Sequence, residues 1–385
     1  MNNFDFCVGT HILFGKGQVE RLPEILSPFG KKVLLTYGGG SIKRMGLYDR
    51  VRELLADFEV WELNGIEPNP RIESVYAGEK LCRDNGIDVI LAVGGGSVID
   101  CSKAIAAASC SDEDAWELVK DPDKIEKALP LCTVLTLAAT GSEMNTGSVI
   151  TNLKTKEKLG FLNDAMLPKA SILDPTYTLT VPADQTAAGA ADILSHIMEV
   201  YFSRPYAPIP DGISESLMKV VFRYAPIAVR EPDNYEAREQ LMWASTLALN
   251  GLCSTGKGQA WPCHAIEHEL SAWYDITHGT GLAILTPRWM RHVLNEGTVD
   301  QFVAYAVNVW GIPADADRFA VANRAIDRTE DFFRSIGIPM TLGELNIDDA
   351  LFPEMAEHAV RFGGLEWSWV PLDKDAVVEI LKQCL

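Results

Sequence analysis

Short, mostly apolar runs separated by amphipathic stretches fill the chain as far as residue 182, and a longer helical rhythm replaces them beyond it. The runs KKVLLTY (31–37), VWELNG (60–65), DVILAVG (88–94) and 131–137 have strand length and few polar positions. Strands covered on both faces read this way. Between them, 48–58 sets Val51, Leu54, Leu55 and Phe58 on one helical face, and 74–85 is a second helix that Gly86 stops. EPNP (67–70) is a rigid turn, because Pro68 and Pro70 fix their own φ and restrict Glu67 and Asn69 before them. Strand and helix alternating through short connections predict a parallel α/β sheet. A strand-like SILD (171–174) and then TLTVP (178–182) close this half.

From Pro182 onward β-branched runs are few. The stretch 183–202 is a mostly apolar helix. Asp233 with Glu236 predicts a capping box ahead of LMWASTLALNG, and Thr298 with Gln301 another ahead of FVAYAVNVWG. A helix over 314–336 ends at Gly337, and an amphipathic helix over 373–384 closes the chain. The predicted organisation is therefore an α/β domain at 1–182 and an all-α domain at 183–385.

Composition narrows the function classes. With 34 basic against 53 acidic residues the formal charge is −19, which opposes both nucleic-acid binding and an anionic membrane surface. No window of about 18 residues is apolar enough to span a bilayer. The start, MNNFDFCVGTHILFG, has no basic segment and no sustained apolar stretch, so no signal peptide is expected. The eight cysteines include no C-x-x-C pair and read as reduced thiols of a cytoplasmic protein.

Candidate chemistry falls at the strand ends and on the later helices. Gly38–Gly40 and Gly94–Gly96 each end an apolar run, where a parallel sheet binds ligands. Ser41 and Ser97 follow the two triplets, and amides opening a helix at Ser97 would face a pyrophosphate. Asp100 is placed either to bond a nicotinamide or ribose group or to face the dipole of its own helix. AATGSEMN (138–145) brings Thr140, Ser142 and Asn145 to a further strand end. Lys158 ends a run of alternating lysines, whose plain reading is a solvated face. In the second half, Asp192 and His196 are four apart on one helix, as are His264 and His268 on another, and His278 follows ten residues later beside Gly279, where a chain can bend. One metal shared by Asp192, His196, His264 and either His268 or His278 accounts for them. A rival reading takes His264-Ala-Ile-Glu267-His268 as the H-x-x-E-H of a zinc peptidase with Glu267 as general base.

Together, GGGSVID, TGSEMN, DILSH, HAIEH and HGTG resemble the iron-containing (group III) alcohol dehydrogenases, in particular their NADPH-dependent butanol dehydrogenase and broad-range aldehyde reductase branch. The resemblance spans nearly the whole chain. It implies a Rossmann-like dinucleotide-binding domain, a helical metal-binding domain and a homodimer. It implies Asp192, His196, His264 and His278 as ligands of Fe(II) or Zn(II), and leaves His268 near the metal as a candidate proton relay. It implies a cofactor site drawn from Gly38, Gly39, Ser41, Asn69, Gly94, Gly95, Gly96, Ser97 and Asp100, with Thr140, Ser142, Asn145, Lys158, Thr178 and Leu179. NAD-preferring relatives often carry an Asp after the first strand; here Gly38–Ser41 with Lys43 nearby offers amides, a hydroxyl and a cation, so NADP(H) is expected. The expected reaction is reversible hydride transfer between NADP(H) and a primary alcohol or aldehyde such as butanol or butanal. An NAD-dependent polyol dehydrogenase of the same architecture is the alternative.

Overall fold

The computed structural model describes residues 1–385. They form two compact units, one of Cys7–Val181 with Asp233–Thr246, the other of Met1–Phe6, Pro182–Pro232 and Leu247–Leu385.

The first unit is built on a six-stranded parallel sheet. Its strands are β1 (His11–Phe14), β2 (Lys32–Tyr37), β3 (Glu59–Leu63), β4 (Val89–Gly94), β5 (Leu131–Leu135) and, after an antiparallel hairpin of β6 (Gly147–Asn152) and β7 (Glu157–Leu162), β8 (Ala170–Leu173). The spatial order is β1-β8-β5-β4-β2-β3. The winding reverses between β2 and β4, and open α/β sheets bind ligands at the carboxyl ends beside such a reversal. Alternate residues feed two cores. Val33, Leu35, Val89, Leu91 and Val93 face one layer, while Leu34, Ile90 and Ala92 face the other. That double burial is why these strands are apolar without a break.

Helices α1 (Ile72–Asn85) and α2 (Gly96–Ala108) cover the Leu34 face through Ile72, Val75, Ile99 and Ile105. They approach closely because residue 78 is glycine: a Cβ there would lie 2.3 Å from Ile105 Cδ1. Gly86 ends α1 with φ of 60°, the left-handed value glycine adopts without strain. Met242 joins the same core, so the helix Tyr235–Ala248 packs largely with the α/β unit although it lies far along the chain.

The second unit is helical. Its central helix α3 (Ala183–Tyr201) is buried from Thr186 to its end. Helices α4 (Pro262–Tyr274) and α5 (His278–Val293) follow. No helix of the chain is long and apolar enough to cross a membrane. All eight cysteines are free thiols.

Several local expectations are corrected. Asn234, not Asp233, caps the helix at Tyr235, accepting from Ala237 N at 3.1 Å. Thr298 makes no capping bond; its hydroxyl is held by Val293 O at 2.7 Å. The helix expected over 314–336 starts at Arg318, where Asp317 caps it. Lys158 is buried at 4% exposure, so the solvated-face reading fails. The bend expected beside Gly279 is not there: His278 opens α5, and Asp275, three residues earlier, takes the left-handed φ of 51°.

Candidate metal centre

Three segments of the helical unit bring the site together. On α3, Asp192, His196 and Glu199 stand at i, i+4 and i+7 and share one face. On α4, His264, Glu267, His268 and Ser271 repeat that spacing. Pro262 at the first turn of α4 has a fixed φ suited to a helix start. His278 is the first residue of α5, and Gly279 beside it lets α5 lie against α3: a Cβ there would sit 2.0 Å from Ala188 O. Ala188 is one turn before Asp192, so this close approach brings His278 level with the carboxylate.

Asp192 Oδ1 is the hub. It lies 3.5 Å from His196 Nε2, 3.6 Å from His264 Nε2 and 3.8 Å from His278 Nε2. These spans are long for hydrogen bonds. They suit the edges of a tetrahedron around one ion, roughly 3.4 Å for ligand bonds of about 2.1 Å. Asp192 Oδ1 and His264 Nε2 are buried without a hydrogen-bond partner. Such orphaned atoms are costly, and a divalent cation would satisfy both. One carboxylate with three imidazoles fits Fe(II) or Zn(II).

The charge states of Asp192 and His196 suit a cation site. Burial pushes the Asp192 carboxyl up, but His196, His264 and His278 together outweigh it and hold the carboxyl below the usual range. Burial, reinforced by the neighbouring imidazoles His264 and His278, brings His196 down to about 4 and keeps it neutral. His264 goes the other way: against burial, Glu199 and Asp192 raise it to about 10.

Both His264 and His278 carry a carboxylate on the ring nitrogen turned away from Asp192. His264 Nδ1 lies 2.5 Å from Glu199 Oε1, and His278 Nδ1 is bonded to Glu267 Oε2. Glu199 was not singled out in the sequence, although an acidic residue at i+7 from Asp192 on an apolar helix is a signal. Glu267 is wholly buried and bonded to Ser271 and His278. It is thereby engaged inside the fold, which disfavours the peptidase reading of HAIEH. His268 has its ring 6.3 Å from that of His264 and 5.6 Å from that of His278. Trp261 sets its ring edge-on to His196 and His264, at 6.0 and 5.6 Å.

The residues expected at a dinucleotide lie in the α/β unit. Gly38 and Gly39 follow β2, Ser41 opens the short helix Ser41–Arg44, and Gly94–Ser97 join β4 to α2. The second triplet is required by the protein itself: Cβ atoms at Gly94, Gly95 and Gly96 would meet Val98, Leu137 and Thr140 at 2.5, 3.0 and 2.3 Å. Around Gly39 nothing lies within 4 Å of such an atom. Asp100 accepts from Ser142 Oγ and from Val149 N. Lys103, unremarked in the sequence, is fully buried and donates to Ser142 Oγ, Asn145 Oδ1 and Gly147 O at 2.9, 2.9 and 2.7 Å. Thr140 Oγ1 accepts from Ser142 N, and Thr178 Oγ1 donates to Pro175 O, with Leu179 next to it at the end of that turn. Asn69 sits at φ of 50°.

Comparison with known proteins decides the family. Residues 9–175 match the model for iron-containing alcohol dehydrogenase, and residues 186–385 that for the C-terminal region of the Fe-containing alcohol dehydrogenase family. The chain belongs to the iron-containing alcohol dehydrogenases. Among its relatives in this family, NADH-dependent butanol dehydrogenase A of Clostridium acetobutylicum is 51% identical over the whole of both chains. NADPH-dependent aldehyde reductase YqhD of Escherichia coli is 39% identical over 94% of each. The crystal structure of NADH-dependent butanol dehydrogenase A from Thermotoga maritima superposes with a TM-score of 0.96 at 37% identity, covering 100% of this chain and 99% of that one. The α/β unit with its parallel sheet and the all-helical unit are the two parts of the family's architecture.

Proposed function

We propose that this member of the family is a metal-dependent alcohol dehydrogenase and aldehyde reductase acting on primary alcohols and aldehydes of butanol size, with NADP(H) as cofactor. Asp192, His196, His264 and His278 would hold one Fe(II) or Zn(II). The observation that carries this reading is the convergence of three imidazole nitrogens on Asp192 Oδ1, an atom buried without a hydrogen-bond partner.

When bound, a divalent ion supplies Lewis acidity at a substrate oxygen, and a nicotinamide supplies or accepts the hydride. The rest falls to the chain's own groups. Asp192 brings the negative charge that offsets the ion. Trp261, edge-on to two ligand imidazoles, limits water at that side of the site. His268 faces the same cluster one turn beyond His264, and we assign it the proton that the substrate oxygen gains on reduction.

The preference for NADP(H) rests on charge. No carboxylate stands among Gly38–Ser41, and the Lys43 ammonium lies over the Tyr37 and Tyr48 rings at 5.1 and 4.6 Å, two residues past Ser41. NAD(H) is the second reading, favoured by the relatives at 51% and 49% identity, both NADH-dependent butanol dehydrogenases. Oxidation of NADPH and of NADH against a panel of aldehydes tests both, using protein stripped of metal and reloaded separately with Fe(II) and Zn(II). A higher kcat/KM with NADPH on a short aliphatic aldehyde is expected. A higher value with NADH would favour the second reading, and turnover of neither would remove both. A homodimer is proposed on the family's pattern, and sedimentation at twice the chain mass would support it.

A further inference from the structure

Among the buried glutamates of the helical unit, Glu199 and Glu267, exposed by 2% and 0%, are bonded to imidazoles of the cluster and are not used by the proposed chemistry. Burying a carboxylate is costly unless it is fully engaged. Both are engaged in the same way. Glu199 Oε1 takes the Ser195 hydroxyl at 2.7 Å and His264 Nδ1 at 2.5 Å. Its Oε2 takes the amides of Cys263 and His264 at 2.7 and 3.3 Å, two of the unpaired N–H groups that open α4. Glu267 Oε1 takes the Ser271 hydroxyl, and Oε2 takes His278 Nδ1. Gly281 leaves room for it: a Cβ there would come within 2.8 Å of Glu267 Cγ. Each glutamate therefore has a serine four residues away on its own helix and reaches an imidazole of another helix. His196 has no such arrangement; its Nδ1 is buried without a partner.

We propose that Glu199 and Glu267 are positioning residues that tether two of the three imidazoles, an inference resting on the metal reading above. An imidazole that donates Nδ1–H to a carboxylate presents the lone pair of Nε2, and it is Nε2 of His264 and of His278 that faces Asp192. The tether also fixes the plane of each ring and makes it a stronger base. Glu199 has the further task of holding the first turn of α4, so that the ring of His264 and the helix carrying it are set by one carboxylate. His196 relies on its place on α3, one turn from Asp192 on the same rigid helix. Two imidazoles contributed by other helices are tethered, and the one sharing a helix with the carboxylate is not.

The test is Zn(II) affinity, measured by chelator competition on full-length wild type, Glu199→Gln, Glu267→Gln and Asp192→Ala. Gln keeps the shape and a hydrogen-bonding oxygen but loses the charge. Each Gln variant should bind Zn(II) about 10- to 100-fold more weakly, the range seen when such outer partners are changed. The 15N shifts of the histidine side chains in uniformly labelled protein supply a readout that a merely structural role would not move. In the Gln variants, signals of His264 and His278 should depart from the fixed Nδ1–H tautomer, while that of His196 keeps its pattern. Thermal melts and a cofactor titration monitor folding, and Glu267→Gln, which leaves the turn opening α4 intact, keeps the test open if Glu199→Gln is unstable. Zn(II) affinity within threefold of wild type in both Gln variants, with Asp192→Ala losing the metal, would overturn the tethering role alone. Wild-type affinity in Asp192→Ala as well would instead remove the metal reading, and the tethers with it.

Discussion

Replacing Gly279 by Ala tests whether the close approach of α5 to α3 builds the site. The added Cβ would lie 2.0 Å from Ala188 O, 2.6 Å from Ala188 C and 3.0 Å from Ala188 Cα. Ordinary contact begins at 3.4 Å, so α5 must retreat by more than an ångström. The obstacle is backbone in the middle of a buried helix and cannot rotate away. Overpacking of this kind costs about 1–3 kcal/mol, and the rigid obstacle puts it near the upper end. Alanine's better helix propensity returns at most ~1 kcal/mol. The net loss of about 2 kcal/mol corresponds to a melting point lower by roughly 4–8 °C for a domain of this size. Because His278 adjoins the substituted residue, it moves off Asp192 by a similar distance, and a displacement near 1 Å can lower turnover by about 100-fold. Thermal melts, Zn(II) affinity and kcat on the purified variant provide the assay. Gly212→Ala is the control, since Gly212 lies within a helix with nothing inside 4 Å of its Cβ position, and it should melt at or above wild type. A Gly279→Ala protein that melts within 1–2 °C of wild type and keeps its metal would refute the packing argument.

Two further outcomes follow from single side chains. His268→Ala should retain one metal per chain while kcat for aldehyde reduction falls by about 10²-fold or more, the scale of a lost acid–base group; loss of metal would instead make His268 a ligand. Burial lowers Lys103 to about 8 from 10.5, so below pH 8 the ammonium is present in both folded and unfolded chains and its burial opposes folding. Between pH 8 and 10.5 the folded chain gives up this proton while the unfolded one keeps it, so stability rises with pH. Relative to Lys103→Met, wild type should gain up to about 3 kcal/mol across that window in urea titrations; a flat difference would contradict the burial of a charged amine.

The strands were legible because parallel strands buried on both faces leave an unbroken apolar record, as DVILAVG does for β4. The Asp192–His196 pair was legible because two polar groups on an apolar helix need partners. Spacing could not choose between His268 and His278, since the choice depends on where α5 begins and how near α3 it lies. Gly279 suggested a bend, whereas it serves a helix contact that only the fold reveals. Glu267 was open to misreading for the same reason: its partner, His278, is on the next helix. Capping boxes failed where a neighbouring group competed, as Val293 O does for the Thr298 hydroxyl. Lys158 looked solvated because a hairpin strand's inward side cannot be told from its outward side in a run of alternating lysines.

The most direct test of the account is metal titration of the stripped protein and of Asp192→Ala, following bound Fe(II) or Zn(II) and butanal-dependent NADPH oxidation in the same samples. The account predicts that wild type binds one ion per chain, that activity rises in step with occupancy, and that Asp192→Ala shows neither. Aldehyde reduction by fully stripped protein, or tight stoichiometric binding in Asp192→Ala, would contradict it.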